Sequence, residues 1–370
     1  MATIDELAAA CKRVKWNLIA AKQELFAELR VGLALSAGST KGPIHIGVLE
    51  YADDNSIPIH EINCNSVGAV VGAPYMVLRK DYLEHPKRFD GLRGPAHKLE
   101  HIVLENPNIL KHFGLISIFR EEGIIDTKPI EEFLKRILDD RTFNDVPGLY
   151  ILTFDAESRQ NIVFGEVRKY EPIWRAVMAS IAIPGTIEPL KDDSSFLFDP
   201  SVLRKSPLRV IYEHKGLTLR VCVFLGYHTK LLEVYKKIKP DDEVSTFGVL
   251  IHPKRRFIAK RDYVVEMTRV ANAERERFDL NEDIPEILGR RIEDVINGQQ
   301  RGLILVLPDH DYVEFTNPTQ KQIKDLIQVG YNAAAESFRK YNEAEPNYLR
   351  FLRNVKFAAQ YGSRVLAPYS

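Results

Sequence analysis

Ser66 is the residue whose position in this chain best suits nucleophilic chemistry. It stands between an apolar segment, PIHEINC (58–64), and a segment typical of a helix, VGAVVGAPYMVLRK (67–80). A serine at such a strand-to-helix turn projects its hydroxyl from a sheet edge, beside the positive end of the helix dipole. The positions two before and two after it must be small, and they are Cys64 and Gly68. The same pattern also fits an ordinary serine N-cap, so it leaves both interpretations open.

A second small-residue loop, SAGSTKG (36–42), also joins a predicted strand to a predicted helix. The strand is VGLALS (31–36) and the helix is IHIGVLEYADD (44–54). Backbone N–H groups in such a loop can face a phosphate or the oxyanion of a reacting ester. The loop lacks the spacing of a Walker A loop and of the dinucleotide-binding fingerprint. It therefore indicates an anion-binding loop without identifying the anion.

Together these segments resemble the patatin-like phospholipase family. That family opens with a strand, an oxyanion loop G-G-G-x-[KR]-G and a helix reading roughly H-I-G-V-L, followed by G-x-S-x-G. This chain has AGSTKGPIHIGVLE and then NCNSVGAVVGA. The family later shows a helix ending in A-S-x-A-I-P-G and a strand ending in D-G-[GA], where this chain has RAVMASIAIPG and FLFDPS. The similarity extends from about Val31 to Tyr341.

The resemblance implies a catalytic dyad of Ser66 and Asp199 that hydrolyses lipid or phospholipid acyl esters. Ser66 would attack the ester carbonyl to form an acyl-serine intermediate, and Asp199 would act as its general base. The developing oxyanion would be held by the loop residues Ala37, Gly38, Ser39 and Lys41. The resemblance implies no cofactor and no metal.

Several glycines of the family pattern are replaced in this chain, and this leaves alternatives open. The replacing residues are Ala37, Ser39, Cys64, Pro200 and Ser201. Glycine is used where φ is positive or where backbones approach closely, so such changes can weaken a site. The second hypothesis is a weakened or inactive relative that binds lipid. The third is a Ser-His-Asp esterase of the α/β-hydrolase type, which needs a late histidine. The candidates are His214, His228, His252 and His310.

The two strand-loop-helix units predict a parallel sheet with right-handed crossovers. We therefore expect a three-layer α/β/α sandwich with a mainly parallel central sheet. LYILTFDAESRQNIVFGE (149–166) predicts a strand pair with a polar turn. The predicted domain organisation is a helical extension over 1–29, a hydrolase domain over 30–342 with a helical section at 228–300, and a helical tail over 343–370.

The stretch 81–127 mixes Pro, Gly, His and short apolar clusters, and we expect a mobile, partly helical flap there. A lipid ester needs an apolar path to the nucleophile, and the segment 106–125 has the composition for it. The predicted substrate-binding residues are Phe113, Ile116 and Phe119. Such a flap would allow reversible association with membranes.

Composition limits the partners. The 370 residues carry 51 Lys and Arg against 51 Asp and Glu, so no net charge favours nucleic acid. No run reaches the roughly 18 apolar residues of a spanning helix, so membrane contact would be peripheral. Three scattered cysteines and an amino terminus without a signal-peptide pattern predict a cytoplasmic protein. Its oligomeric state is left open.

Overall fold

A computed structural model describes eight parts of the chain. These are residues 30–107, 109, 127–183, 187–192, 195–202, 207–225, 302–308 and 318–344. The expectations for the extension 1–29 and the helical section 228–300 lie outside the described residues, and so does nearly all of the predicted tail 343–370.

The described chain contains one sheet of eight strands. They are β1 (Val31–Leu35), β2 (Ile59–Cys64), β3 (Leu149–Asp155), β4 (Gln160–Phe164), β5 (Leu190–Asp192), β6 (Ser195–Phe198), β7 (Leu219–Val223) and β8 (Leu303–Val306). The strand order is β5-β6-β3-β2-β1-β7-β8, with β4 also paired to β3. The five strands β3, β2, β1, β7 and β8 are mutually parallel. Strands β4 and β6 run antiparallel to β3, and β5 runs antiparallel to β6. The mainly parallel sheet is confirmed, including the predicted β3–β4 hairpin.

Seven helices accompany the sheet in the described residues. They are α1 (Gly42–Asp54), α2 (Val67–Glu84), α3 (Pro95–Glu105), α4 (Lys128–Leu138), α5 (Ile173–Ser180), α6 (Leu208–Glu213) and α7 (Gln320–Glu343). Short 3-10 turns occur at Ser39–Lys41, Pro86–Phe89 and Pro200–Val202. Helix α7 begins with a capping box, in which Thr319 and Gln322 bond each other's backbone N–H groups. None of these helices has both the length and the apolar composition needed to cross a membrane.

The central strands are buried on both faces, as parallel strands usually are. In β1, Val31, Leu33 and Leu35 join the larger core cluster, which also contains residues of α1, α2, α3, α4, α5 and α7. The intervening Ala34 joins a second cluster with Leu208 of α6 on the opposite face. Helices therefore cover both faces of the sheet, which confirms the three-layer arrangement.

The first half of the expected flap is partly helical, and its helix α3 packs against the core. Residues 81–84 are the last turn of α2, and α3 buries Ala96, Leu99 and Val103 in the larger cluster. These apolar residues are spaced three and four positions apart, as on one face of a helix. The Pro and Gly residues between α2 and α3 interrupt this spacing, so the sequence of the whole stretch shows no single period. The partly helical character expected for 81–105 is therefore observed, and the flap itself stays a prediction. Residues 108 and 110–126 lie outside the described part.

Helices α1 and α7 approach each other at two glycines. A Cβ atom on Gly47 would overlap the carbonyl of Ile327, and one on Gly330 would overlap the carbonyl of Ile44. The atoms in the way are backbone atoms, which cannot turn aside. The close contact of α7 with α1 therefore requires that both residues lack a side chain.

We predict that Gly330→Ala destabilises the protein although alanine is the better helix former by about 1 kcal/mol. Overpacking a tight contact costs about 1–3 kcal/mol, so the free energy of unfolding should fall. Urea unfolding measures it. Lys324→Ala, an exposed change on the same helix, should stay within about 0.5 kcal/mol of the parent. A Gly330→Ala protein as stable as the parent would contradict the close approach.

Candidate active site

Ser66 lies at the strand-to-helix turn that the sequence predicted. Strand β2 ends at Cys64 and α2 begins at Val67, so Ser66 stands at the amino end of the helix. Its φ is 52° and its ψ is −130°, in a region that L-residues rarely adopt. A side chain at Gly68 would collide with the carbonyl of Leu35 in β1. The sharp turn therefore needs glycine two residues after the serine.

Asp199 lies near the carboxyl end of β2, although it follows a strand that runs antiparallel to the central strands. The end of β2 pairs with Ile151, and β3 continues beyond it to Asp155. Strand β6 returns antiparallel along this extension, with Phe198 opposite Phe154. Asp199 is the next residue, and the returning strand carries it back toward the end of β2. The two proposed catalytic side chains are thereby brought together.

The carboxyl of Asp199 is completely buried, and burial favours its neutral, protonated form. Burial raises its pKa to about 6, against the lowering influence of Ser201 and of the neighbouring Ser66 hydroxyl. Its Oδ1 accepts a hydrogen bond of 2.8 Å from the backbone N–H of Ser201. Its Oδ2 accepts no well-aligned hydrogen bond from any described residue. One carboxylate oxygen is therefore held in place while the other is available for a proton.

The end of α5 holds the backbone of both residues. The backbone N–H of Ser66 donates to the Ser180 hydroxyl at 2.9 Å. The backbone N–H of Asp199 donates to the carbonyl of Ala182 at 3.0 Å. Ser180 was not singled out from the sequence, although it is the serine of the MASIAIPG segment. Because the Ser66 N–H donates to this hydroxyl, it is not available to bind a ligand.

The loop between β1 and α1 is anchored to Leu225, two residues beyond the end of β7. The Ser36 hydroxyl accepts from the backbone N–H of Leu225 at 2.9 Å and donates to the carbonyl of Ala37 at 3.0 Å. The Lys41 ammonium donates to the carbonyl of Leu225 at 3.1 Å. The His45 ring lies 2.8 Å from the Ser36 carbonyl through Nε2. Because a carbonyl only accepts, Nε2 carries the proton. Burial lowers the pKa of His45 to about 4, so the ring is neutral.

Two backbone N–H groups of this loop are possible hydrogen-bond donors to a ligand. Among the described residues, none accepts a hydrogen bond from the N–H of Ala37 or Gly38. The carbonyl of Gly38 is used, because it accepts from the N–H of Lys41 at 3.2 Å. A side chain at Gly38 would overlap that of Leu225, so glycine is required there by space. The two N–H groups are the kind of donor that an oxyanion needs.

The replaced glycines are accommodated at three positions. Cys64 is buried and its thiol lies 3.4 Å from the carbonyl of Tyr150; burial also raises the pKa of this thiol. Pro200 is the first residue of a 3-10 turn, where its missing N–H is not needed. Ser201 supplies the N–H that holds Asp199.

Other predicted site residues are not brought into this arrangement. Three lie outside the described residues, namely Phe113, Ile116 and Phe119. The same holds for three of the late histidines, His228, His252 and His310. His214 is described, and its ring pairs with Glu61 at 2.7 Å and with Glu166 at 2.8 Å. Within the described part of the chain, both ring nitrogens of His214 thus face glutamates and not Ser66 or Asp199.

Comparison with known proteins points to one family. Residues 33–212 match the family model described as patatin-like phospholipase. An uncharacterized NTE family protein of Mycobacterium bovis is 29% identical over 183 residues, which is 49% of this chain and 45% of the relative. Lysophospholipase NTE1 of Cryptococcus neoformans is 26% identical over 325 residues, which is 85% of this chain and 17% of that protein. The chain thus spans less than half the length of either relative.

Among solved structures, VipD from Legionella pneumophila aligns with a TM-score of 0.42 and 11% identity, covering 85% of this chain and 67% of that one. The region matched by the family model contains the turn at Ser66, Asp199 and the loop between β1 and α1. Over residues 33–212 the chain is therefore similar to the patatin-like phospholipase family.

Proposed function

We propose that this chain is a lipid acyl hydrolase that uses Ser66 and Asp199 as a catalytic dyad. The observation that carries the proposal is the buried Asp199 carboxyl beside a serine in a strained strand-to-helix turn. A raised pKa in a base and a nucleophile at a helix amino end are features that acyl transfer requires. The match of residues 33–212 to the patatin-like phospholipase model supports ester hydrolysis on lipids as the reaction.

In the proposed reaction the Ser66 oxygen attacks the ester carbonyl while its proton passes to Asp199. The bond from carbonyl carbon to the leaving oxygen then breaks, and Asp199 returns the proton to that oxygen as the alcohol departs. Water next attacks the carbonyl carbon of acyl-Ser66 while Asp199 accepts its proton. The bond from that carbon to the Ser66 oxygen then breaks, Asp199 returns the proton to Ser66, and the fatty acid is released. No cofactor or metal enters either step.

The oxyanion would lie against the loop between β1 and α1. We assign the backbone N–H groups of Ala37 and Gly38 as its principal donors, with Ser39 beside them and the amino end of α2 adding its dipole. Lys41 would hold the loop through the Leu225 carbonyl. The structure thus supports a functional loop in spite of the replaced glycine at position 37.

The proposed substrates are phospholipids or lysophospholipids. One relative carries the name lysophospholipase, and the family name points to the same class of ester. Such substrates are held in membranes or micelles, so we propose peripheral membrane contact. The cytoplasmic location expected from the sequence stays a prediction. The predicted roles of Phe113, Ile116 and Phe119 in this contact stay predictions.

Ser66→Ala should abolish ester hydrolysis and labelling by a fluorophosphonate probe, because the variant has no nucleophile. Turnover of a lysophospholipid should fall by at least about a thousandfold. Ser158→Ala, in the β3–β4 turn, is the matched control and should label normally. Absence of labelling in the parent protein under all conditions would favour the inactive lipid-binding hypothesis instead.

The pH dependence should report the ionisation of Asp199. Because the carboxylate form is the base, kcat/KM should be lost as the pH falls through about 6 and should be level above it. Asp199→Asn should lower kcat by about a hundredfold or more at every pH. The exposed Asp140→Asn should change neither the rate nor the profile. Turnover that survives in Asp199→Asn and is lost in a variant of a late histidine would indicate the triad mechanism.

Ser180→Ala should weaken both stability and catalysis, because it leaves the Ser66 N–H buried without an acceptor. An unsatisfied buried donor costs about 1–3 kcal/mol, which urea unfolding measures. The turn should also lose its fixed geometry, so kcat should fall about tenfold or more while KM changes little. A Ser180→Ala protein with parental kcat would show that Ser66 needs no support from α5.

A further inference from the structure

A second cluster of chemically capable side chains lies between α1 and α3. Glu50 and Asp54 come from α1, one turn apart, and His97 and Glu100 come from the first turns of α3. Glu50 and His97 are only 6% and 4% exposed. Glu50 is about 12 Å along α1 from the end that adjoins the oxyanion loop. The proposed dyad makes no use of this cluster.

The imidazole of His97 is oriented as in many metal-binding histidines. Its Nε2 lies 3.1 Å from Oδ1 of Asp54, which can only accept, so Nε2 is the protonated nitrogen when the ring is neutral. Its Nδ1 then carries a lone pair directed toward Glu50, at 3.4 Å, and Glu100, at 4.0 Å. A carboxylate that receives the other N–H of a histidine is the usual outer partner of a metal ligand.

The three facing atoms are almost close enough to share one ion. One atom each from Glu50, His97 and Glu100 lie within 4.8 Å of one another. Bonds of about 2.0–2.1 Å to a tetrahedral ion place ligand atoms about 3.3 Å apart. The Glu50–His97 distance already has this value, and Glu100 is partly exposed and can move inward. Oε1 of Glu50 is buried and receives no well-formed hydrogen bond from a described residue.

The first turn of α3 is fixed against α1, which makes the cluster a built site. The backbone N–H of Ala96 donates to Oδ2 of Asp53 at 2.8 Å. The hydroxyl of Tyr75 donates to Oδ1 of the same carboxylate at 2.8 Å. His97 is the next residue after Ala96, so its ring is held at a set distance from Glu50. The ligand geometry therefore does not depend on flexible loops.

We propose that Glu50, His97 and Glu100 bind one first-row divalent cation, such as Zn²⁺, with Asp54 as the outer partner of His97. One nitrogen with carboxylate oxygens suits zinc or manganese better than calcium or magnesium, which prefer oxygen ligands alone. The cation would join α1 to α3 and act on stability, because the cluster is separate from Ser66. The inference is independent of the proposed function.

The Arg93 side chain would compete with a cation for Nδ1 of His97. Its Nη2 lies 3.4 Å from His97 Nδ1, and its Nη1 lies 3.0 Å from Asp54. The Arg93 side chain is 70% exposed, so it can leave Nδ1 without unfolding any element. Without a metal, the cluster would be an ion-pair network of Arg93 and protonated His97 with the carboxylates. The two possibilities differ in what a chelator and a metal titration do.

The test uses the whole chain, treated with EDTA, dialysed and titrated with ZnCl₂ by calorimetry. We expect one ion per chain, and a rise in Tm of at least about 5 °C at saturation. Co²⁺ should bind at the same place and give visible absorption typical of nitrogen and oxygen ligands. A parent protein that is folded but takes up no stoichiometric Zn²⁺ would overturn the proposal and leave the ion-pair network.

Variants locate the ion. Glu100→Gln changes a partly exposed side chain, so folding in EDTA should be retained, and Zn²⁺ affinity should fall at least about tenfold. Glu105→Gln, exposed on the same helix, should bind as the parent does. Arg93→Gln should bind more tightly, because it removes the competitor for Nδ1. Unchanged affinity in Glu100→Gln would overturn the assignment, since the ion would then lie elsewhere.

Discussion

The site depends on the close passage of backbones at the turn from β2 to α2. Ser66 can hold its positive φ only because the surroundings determine the turn: Gly68 lies against the Leu35 carbonyl, and the Ser180 hydroxyl accepts the Ser66 N–H. A residue in this region is disfavoured by about 1–3 kcal/mol, and packing must supply the difference. The turn fixes the hydroxyl and also starts α2 at once, which brings the helix dipole to the same point.

The proposed catalytic residues come from two separately anchored parts of the structure. The backbones of Ser66 and Asp199 are both held by the segment from Ser180 to Ala182. The loop between β1 and α1 is held by Leu225, through the Ser36 hydroxyl and the Lys41 ammonium. Because the Ser66–Asp199 pair and the loop have separate anchors, a change in one need not displace the other. The replacement of a glycine in the loop therefore need not disturb Ser66 and Asp199.

Local pattern was enough to predict β1, α1, β2 and α2. The two strands are short apolar runs, each is followed at once by a segment typical of a helix, and the loops between them are short. The position of Asp199 followed from resemblance alone, since it depends on the antiparallel return of β6 along β3, a pairing between distant segments. The role of Ser180 was not predicted for a similar reason, because its hydrogen-bond partner Ser66 is 114 residues away in the sequence. Helix α3 was missed because its apolar spacing is short and lies between Pro and Gly residues.

Burial acts on the site's two titratable groups in opposite directions, and both effects remove charge. It raises the pKa of Asp199 to about 6 and lowers that of His45 to about 4, so His45 stays neutral wherever the enzyme would work. The Lys41 ammonium is directed at the Leu225 carbonyl. Near neutral pH the carboxylate is therefore the main negative charge beside Ser66, and in the proposed reaction it would be neutralised as it takes the proton. The negative charge would then lie on the oxyanion, where the backbone N–H groups of the loop and the α2 dipole would stabilise it.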